Sequence, residues 1–224
     1  MSSAESQQIW TRAEAYHNSF LIPKDEVLDK IVENSRANGL LNISVSAAQG
    51  KFLHLLARSI GAKKILEVGT LGGYSTTWFA RAVPEDGAVT TLEVDPQCVR
   101  VATENLATAG LVHKVEIILG PAAETLETLS PTPIPFDLVF IDADKEGNAT
   151  YFKHAKRLVR KGGIIIVDNV VRDGKVADLE NKDSMVEGAR RLLEVLKADP
   201  EVSATTISTV GEKGYDGFTF ALKL

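Results

Sequence analysis

Several polar residues of the chain stand where an apolar run gives out. LVFID ends at Asp142, with Lys145 three residues on, and IIIVDN ends at Asp168 and Asn169. Two carboxylates and an amide are hard oxygen donors. If the two runs are neighbouring strands, their ends lie about 5 Å apart, and the three groups form a set that suits Mg²⁺ with positions left for water and substrate. A plainer reading has Asp142 or Asp144 capping the next helix and Asp168 with Asn169 making a turn.

A second pair of acids, Glu67 and Glu93, closes two other short runs, ILEV and TTLEV. The first run leads into GTLGGYS, a glycine-rich turn ahead of a helical stretch, the place where open α/β sheets bind ligands. A dinucleotide fingerprint needs a second glycine where Leu71 stands, so NAD fits poorly. Glu67 suits a ligand's amino group and Glu93 suits ribose hydroxyls. The amides and hydroxyl near Tyr74 and Ser75 suit a carboxylate. S-adenosylmethionine carries all three groups.

These residues need strands to carry them and helices to space the strands. From Lys64 onward, β-branched runs alternate with amphipathic stretches: strands are expected at 65–68, 89–94, 115–119, 137–141 and 164–168, and helices at 75–82, 96–109, 122–129, 147–159 and 182–198. PEDG at 84–87 and KGG at 161–163 read as helix-to-strand turns, and SPTPIP at 130–135 as a loop before a strand. Two further runs, 204–210 and 218–222, read as a closing hairpin that reverses one strand near the sheet edge. The segment before Lys64 has helical period, with starts near Pro23 and Ser46 and capping-box spacing between Ser46 and Gln49. These helices are expected to cover one mouth of the sheet.

Length and composition agree with one folded domain over 1–224: 224 residues, 44% hydrophobic and 25% charged, with no internal repeat. Twenty-five basic residues against 30 acidic ones leave −5, which supplies no field for a phosphate backbone, so nucleic acid is not the expected partner. Cys98 is the single cysteine, and the four histidines lack ligand spacing, which excludes a disulfide scaffold and a Cys/His zinc site. Neither a signal-peptide pattern nor a membrane-length apolar run is present, so the protein is expected in the cytoplasm and away from membranes.

ILEVGTLGGYS, TLEVDP, ILGPAAETL, FIDADK, VDNVVRDGKV and GYDGF, in this order and at these spacings, resemble the cation-dependent O-methyltransferases related to catechol and caffeoyl-coenzyme A O-methyltransferases. The resemblance runs from about Val45 to the C-terminus. It implies a seven-stranded, Rossmann-like S-adenosylmethionine-dependent methyltransferase fold, mostly parallel with one antiparallel strand in the edge region and N-terminal helices. It also implies S-adenosylmethionine as donor and a divalent metal on Asp142, Asp168 and Asn169.

By position, Glu67 and Gly69 resemble the methionine-binding residues, Ser75 the carboxylate contact and Glu93 the ribose anchor. Val45 falls on a residue lining the cofactor, Ala122 on one touching adenine through its backbone, Asp142 on one serving metal and cofactor together, and Lys145 on the general base. The first 45 residues then contribute to the substrate site. The implied reaction is methylation of one hydroxyl of a vicinal aromatic diol, a small phenolic molecule, with a homodimer as the assembly. A methyltransferase acting on a hydroxylated tRNA base and a non-catalytic S-adenosylmethionine-binding module are the alternatives. The acidic balance disfavours the first, and the joint presence of Asp142, Lys145, Asp168 and Asn169 disfavours the second.

Overall fold

The computed structural model describes residues 3–131 and 133–224; Met1, Ser2 and Thr132, which falls within SPTPIP, lie outside the described residues. Three helices come first, α1 (Ser3–Leu21), α2 (Glu26–Ala37) and α3 (Ala47–Ser59). Strands and helices then alternate: β1 (Lys64–Val68), α4 (Tyr74–Ala82), β2 (Ala88–Glu93), α5 (Pro96–Thr108), β3 (Val115–Leu119), α6 (Ala122–Thr128), β4 (Phe136–Ile141), α7 (Asn148–Leu158), β5 (Val159–Asp168) and α8 (Ser184–Ala198). The hairpin β6 (Val202–Gly211) and β7 (Gly214–Lys223) closes the chain. Helix starts follow side-chain chemistry: Asp25 accepts from Val27 and Leu28 N–H, Asp95 from Gln97 N–H with Pro96 next to it, and Asp183 from Met185 and Val186 N–H.

In the described residues seven strands form one sheet in the order β3-β2-β1-β4-β5-β7-β6. The pairs from β3 to β5 are parallel; β7 runs against both β5 and β6, one place in from the edge. Side chains alternate between the two faces, as strand geometry requires. Leu66, Val139 and Ile141 pack with Leu126, Phe152 and Leu192 of α6, α7 and α8. Ile65, Leu138 and Phe140 pack with Leu53, Phe79 and Leu106 of α3, α4 and α5. Strand order reverses between β1 and β4, which opens a crevice at their carboxyl ends.

Three local features differ from the sequence expectation. KGG is a bulge inside β5 rather than a turn before it: the register steps from Phe136↔Val159 to Leu138↔Ile164, and Asp137 alone faces residues 160–163. Asp137 holds the bulge by accepting from Arg160 Nε at 2.7 Å and from Lys63 N at 2.8 Å. The hairpin turn is shorter than GEKGYDG, since Gly211 already pairs with Gly214. Finally, α1 lies against β6, where Gln7 Nε2 donates to Gly211 O at 2.9 Å and Glu14 accepts from Glu212 N and, at 2.8 Å, from Ser46 Oγ. No helix among the described residues is long and apolar enough to cross a membrane.

Candidate active site

A cavity of about 980 Å³ opens at the crevice. Its wall includes Val45, Gly69, Ser75, Glu93, Ala122, Asp142, Lys145 and Asn169, whereas Glu67 and Asp168 stand behind the wall, nearly sealed from solvent. All ten residues singled out in the sequence thus belong to one neighbourhood.

On the β1–β2 side, each acid is tied into the protein. Glu67 is fully buried; its Oε1 accepts from Ser75 Oγ at 2.6 Å, and its Oε2 accepts from Thr91 Oγ1 at 2.7 Å and from Thr76 Oγ1. Burial pushes the Glu67 carboxyl up to about 7, although all three hydroxyls pull the other way. It therefore reaches the cavity through Ser75 rather than directly. Glu93 accepts from four backbone N–H groups, those of Leu71 and Val94 at 2.8 Å, Asp95 at 3.0 Å and Thr70 at 3.2 Å. The acid expected at a ribose thus also pins the glycine loop, including Leu71, which takes a left-handed φ of 49°.

Gly69 explains why this loop needs one glycine in particular. Its φ is +102°, and a Cβ there would stand 2.1 Å from the Asp142 carbonyl oxygen. The missing side chain lets the end of β4 close on the end of β1.

On the β4–β5 side, the register Ile141↔Val167 puts Asp142 and Asp168 at adjoining strand ends. Lys145 is buried, and its Nζ donates to Asp142 Oδ1 at 2.7 Å, so it is no solvated surface charge. Asp144 is the residue that caps, accepting from Gly147 N at 3.0 Å and Tyr151 Oη at 2.5 Å, which leaves Asp142 free of that duty. Burial, then the negative charge of Asp142, hold the Asp168 carboxyl above the usual carboxylate range, against the pull of Lys145, Asn169 N–H and Gln49. Two carboxylates close enough to repel, with Asn169 in the same wall at a left-handed φ of 56°, form an oxygen donor set whose charge a divalent cation fits. No group of three or more His, Cys, Asp or Glu that could hold a metal ion occurs among the described residues; Asn169 is the amide that stands in the same wall.

Sequence reasoning missed four contributors. Gln49 N donates to the capping Ser46 Oγ at 3.2 Å, but its side chain does not complete the capping box: Nε2 crosses to Asp168 Oδ2 at 2.6 Å. Arg172 and Met185 also line the cavity. Asp216, inside the GYDGF motif, accepts from Val171, Arg172 and Gly217 N–H at 3.0, 2.8 and 2.9 Å and so fixes the loop after Asn169.

Known proteins share this architecture. The model of a family described as O-methyltransferase matches residues 18–224. A catechol O-methyltransferase of Mycobacterium tuberculosis is 48% identical over 209 residues, 93% of this chain and 94% of the relative. An O-methyltransferase of Bacillus cereus, solved in complex with SAH, superposes with a TM-score of 0.93 at 44% identity, covering 97% of this chain and 100% of that one. TomG of Streptomyces achromogenes, an O-methyltransferase involved in tomaymycin synthesis and solved with SAM, gives a TM-score of 0.93 at 46% identity over 97% and 98% of the two chains.

Proposed function

The chain belongs to the O-methyltransferase family, and from that premise we propose that it transfers the methyl group of S-adenosylmethionine to one hydroxyl of a vicinal aromatic diol, with Mg²⁺ or another divalent cation held by Asp142, Asp168 and Asn169. The observation that carries this reading is the meeting of those three oxygen donors at adjoining strand ends, beside the buried amine of Lys145, in the wall that also holds the glycine loop.

Bound S-adenosylmethionine would supply an electrophilic methyl on sulfur, and a divalent cation held by Asp142, Asp168 and Asn169 would supply a Lewis acid. The chain's part is placement and proton transfer. The glycine loop, Ser75 and Glu93 grip one end of the donor; Val45 and Ala122 shape the wall around it. Gly69 brings this half against Asp142, so donor and diol share one wall. Lys145 Nζ takes the proton of the attacking hydroxyl as the C–O bond forms and the C–S bond breaks.

The reading is tested by incubating the protein with labelled S-adenosylmethionine, Mg²⁺ and a panel of catechols, flavonoids, caffeoyl thioesters and tRNA. Label is expected in a catechol-type product. Transfer to tRNA alone would contradict the reading.

A further inference from the structure

The loop that follows Asn169 is strained and held in place with unusual thoroughness. Arg172 and Asp173 have left-handed φ values of 53° and 58°, close behind Asn169 at 56°. Side-chain-bearing residues seldom adopt this conformation, and clusters of it gather where a fold clamps a ligand. Four hydrogen bonds hold the loop to the start of β7: Asp216 Oδ1 accepts from Val171 and Arg172 N–H, Val170 N donates to Gly217 O at 3.0 Å, and Asp173 N donates to Tyr215 O at 2.9 Å. The segment so fixed carries Arg172 in the cavity wall, three residues after Asn169.

Arg172 stands apart from the paired arginines. Arg81, Arg100, Arg160 and Arg190 each face a carboxylate. Arg172 is half-buried, and among the described residues its guanidinium meets only Met185 Sδ, at 3.5 Å, a weak acceptor. The acids nearby are engaged: Asp142 with Lys145, Asp144 with Gly147 and Tyr151, Asp173 with Lys175. A planar, permanently charged fork on a cavity wall matches a carboxylate.

We infer that Arg172 selects the substrate, and that the diol this site takes carries a carboxylate on its ring or on a short side chain, recognised by the guanidinium while the diol lies at Asp142, Asp168 and Asn169. This inference rests on the function proposed above and adds the chemical class of the substrate.

The experiment compares 3,4-dihydroxybenzoate with its neutral isostere 3,4-dihydroxybenzamide, and includes unsubstituted catechol. In the parent protein kcat/KM should favour the carboxylate by roughly ten- to a hundredfold, the range of a charge-assisted hydrogen bond. Arg172→Gln should bring that ratio near one, Arg172→Lys should keep part of it, and Arg36→Gln, on the exposed cation elsewhere in the wall, should keep it whole. A parent ratio of one or below overturns the inference even if no variant folds, as does a ratio that survives Arg172→Gln or disappears with Arg36→Gln. Methylation of catechol without carboxylate preference removes the role of Arg172 and leaves the proposed reaction standing; methylation of none of the three compounds removes both.

Discussion

The two halves of the cavity handle negative charge in opposite ways. At the ends of β1 and β2, three hydroxyls satisfy Glu67 and four backbone N–H groups satisfy Glu93, so each acid braces its own surroundings. At the ends of β4 and β5, Asp142 and Asp168 repel one another beside the buried amine of Lys145, which pairs with Asp142. The first half is a finished socket that holds a ligand by shape and dipoles. The second keeps an excess of negative charge, which suits a divalent cation and the chemistry that it assists.

The sharpest way to break this contrast is at Lys145. Lys145→Ala should lower kcat by about 10² to 10⁴ with a smaller effect on KM. The defect should shrink as pH rises, because hydroxide then does the work of the missing amine. A loss that does not vary with pH would reduce Lys145 to a charge partner of Asp142 and make the two halves more alike.

The next largest effect is on stability, in the braced half. Glu67 has an ordinary value of 4.5 and about 7 in the fold, so the folded state holds its proton more tightly than the unfolded chain does. That contribution is complete below about 4.5 and disappears as pH rises through 7. Chemical denaturation of the parent between pH 5 and pH 8 should show this loss, on the order of 1 to 3 kcal/mol, and Glu67→Gln should not show it. Equal pH slopes for the two proteins would mean that Glu67 is ionised and fully compensated where it lies.

The smallest effect concerns Gln49, which reaches from α3 to hold Asp168. Gln49→Ala should weaken Mg²⁺ binding, followed by calorimetry on the donor-free protein, by roughly tenfold, as loss of an outer hydrogen bond to a metal ligand does. Unchanged affinity would show that burial alone orients Asp168.

Much of this was legible in the sequence because the signals are local. An apolar run ending in an acid or amide marks a strand end with a polar side chain, and Asp142, Asp168, Asn169, Glu67 and Glu93 are legible that way. The alternation of runs gave the strands within a few residues. What stayed hidden depends on contacts between distant parts of the chain. Gln49 carried a capping signal, and nothing within α3 says that its amide turns 119 positions away to Asp168. The KGG bulge looks like a turn because only the register with β4 shows that pairing resumes at Ile164. The docking of α1 on β6 rests on Gln7 and Glu14, two polar residues with no pattern of their own. Asp216 strapping the loop after Asn169 depends on β7 being reversed beside β5.

The central claim is that the charge excess at the ends of β4 and β5 serves a metal needed for methyl transfer. It is tested most directly by measuring catechol methylation in excess EDTA and then across a titration of free Mg²⁺, for the parent and for Asp168→Ala. The account predicts no turnover in chelator, recovery on adding Mg²⁺, and a folded Asp168→Ala protein that Mg²⁺ does not rescue. Full turnover in EDTA, with no metal detectable in the protein, would contradict it.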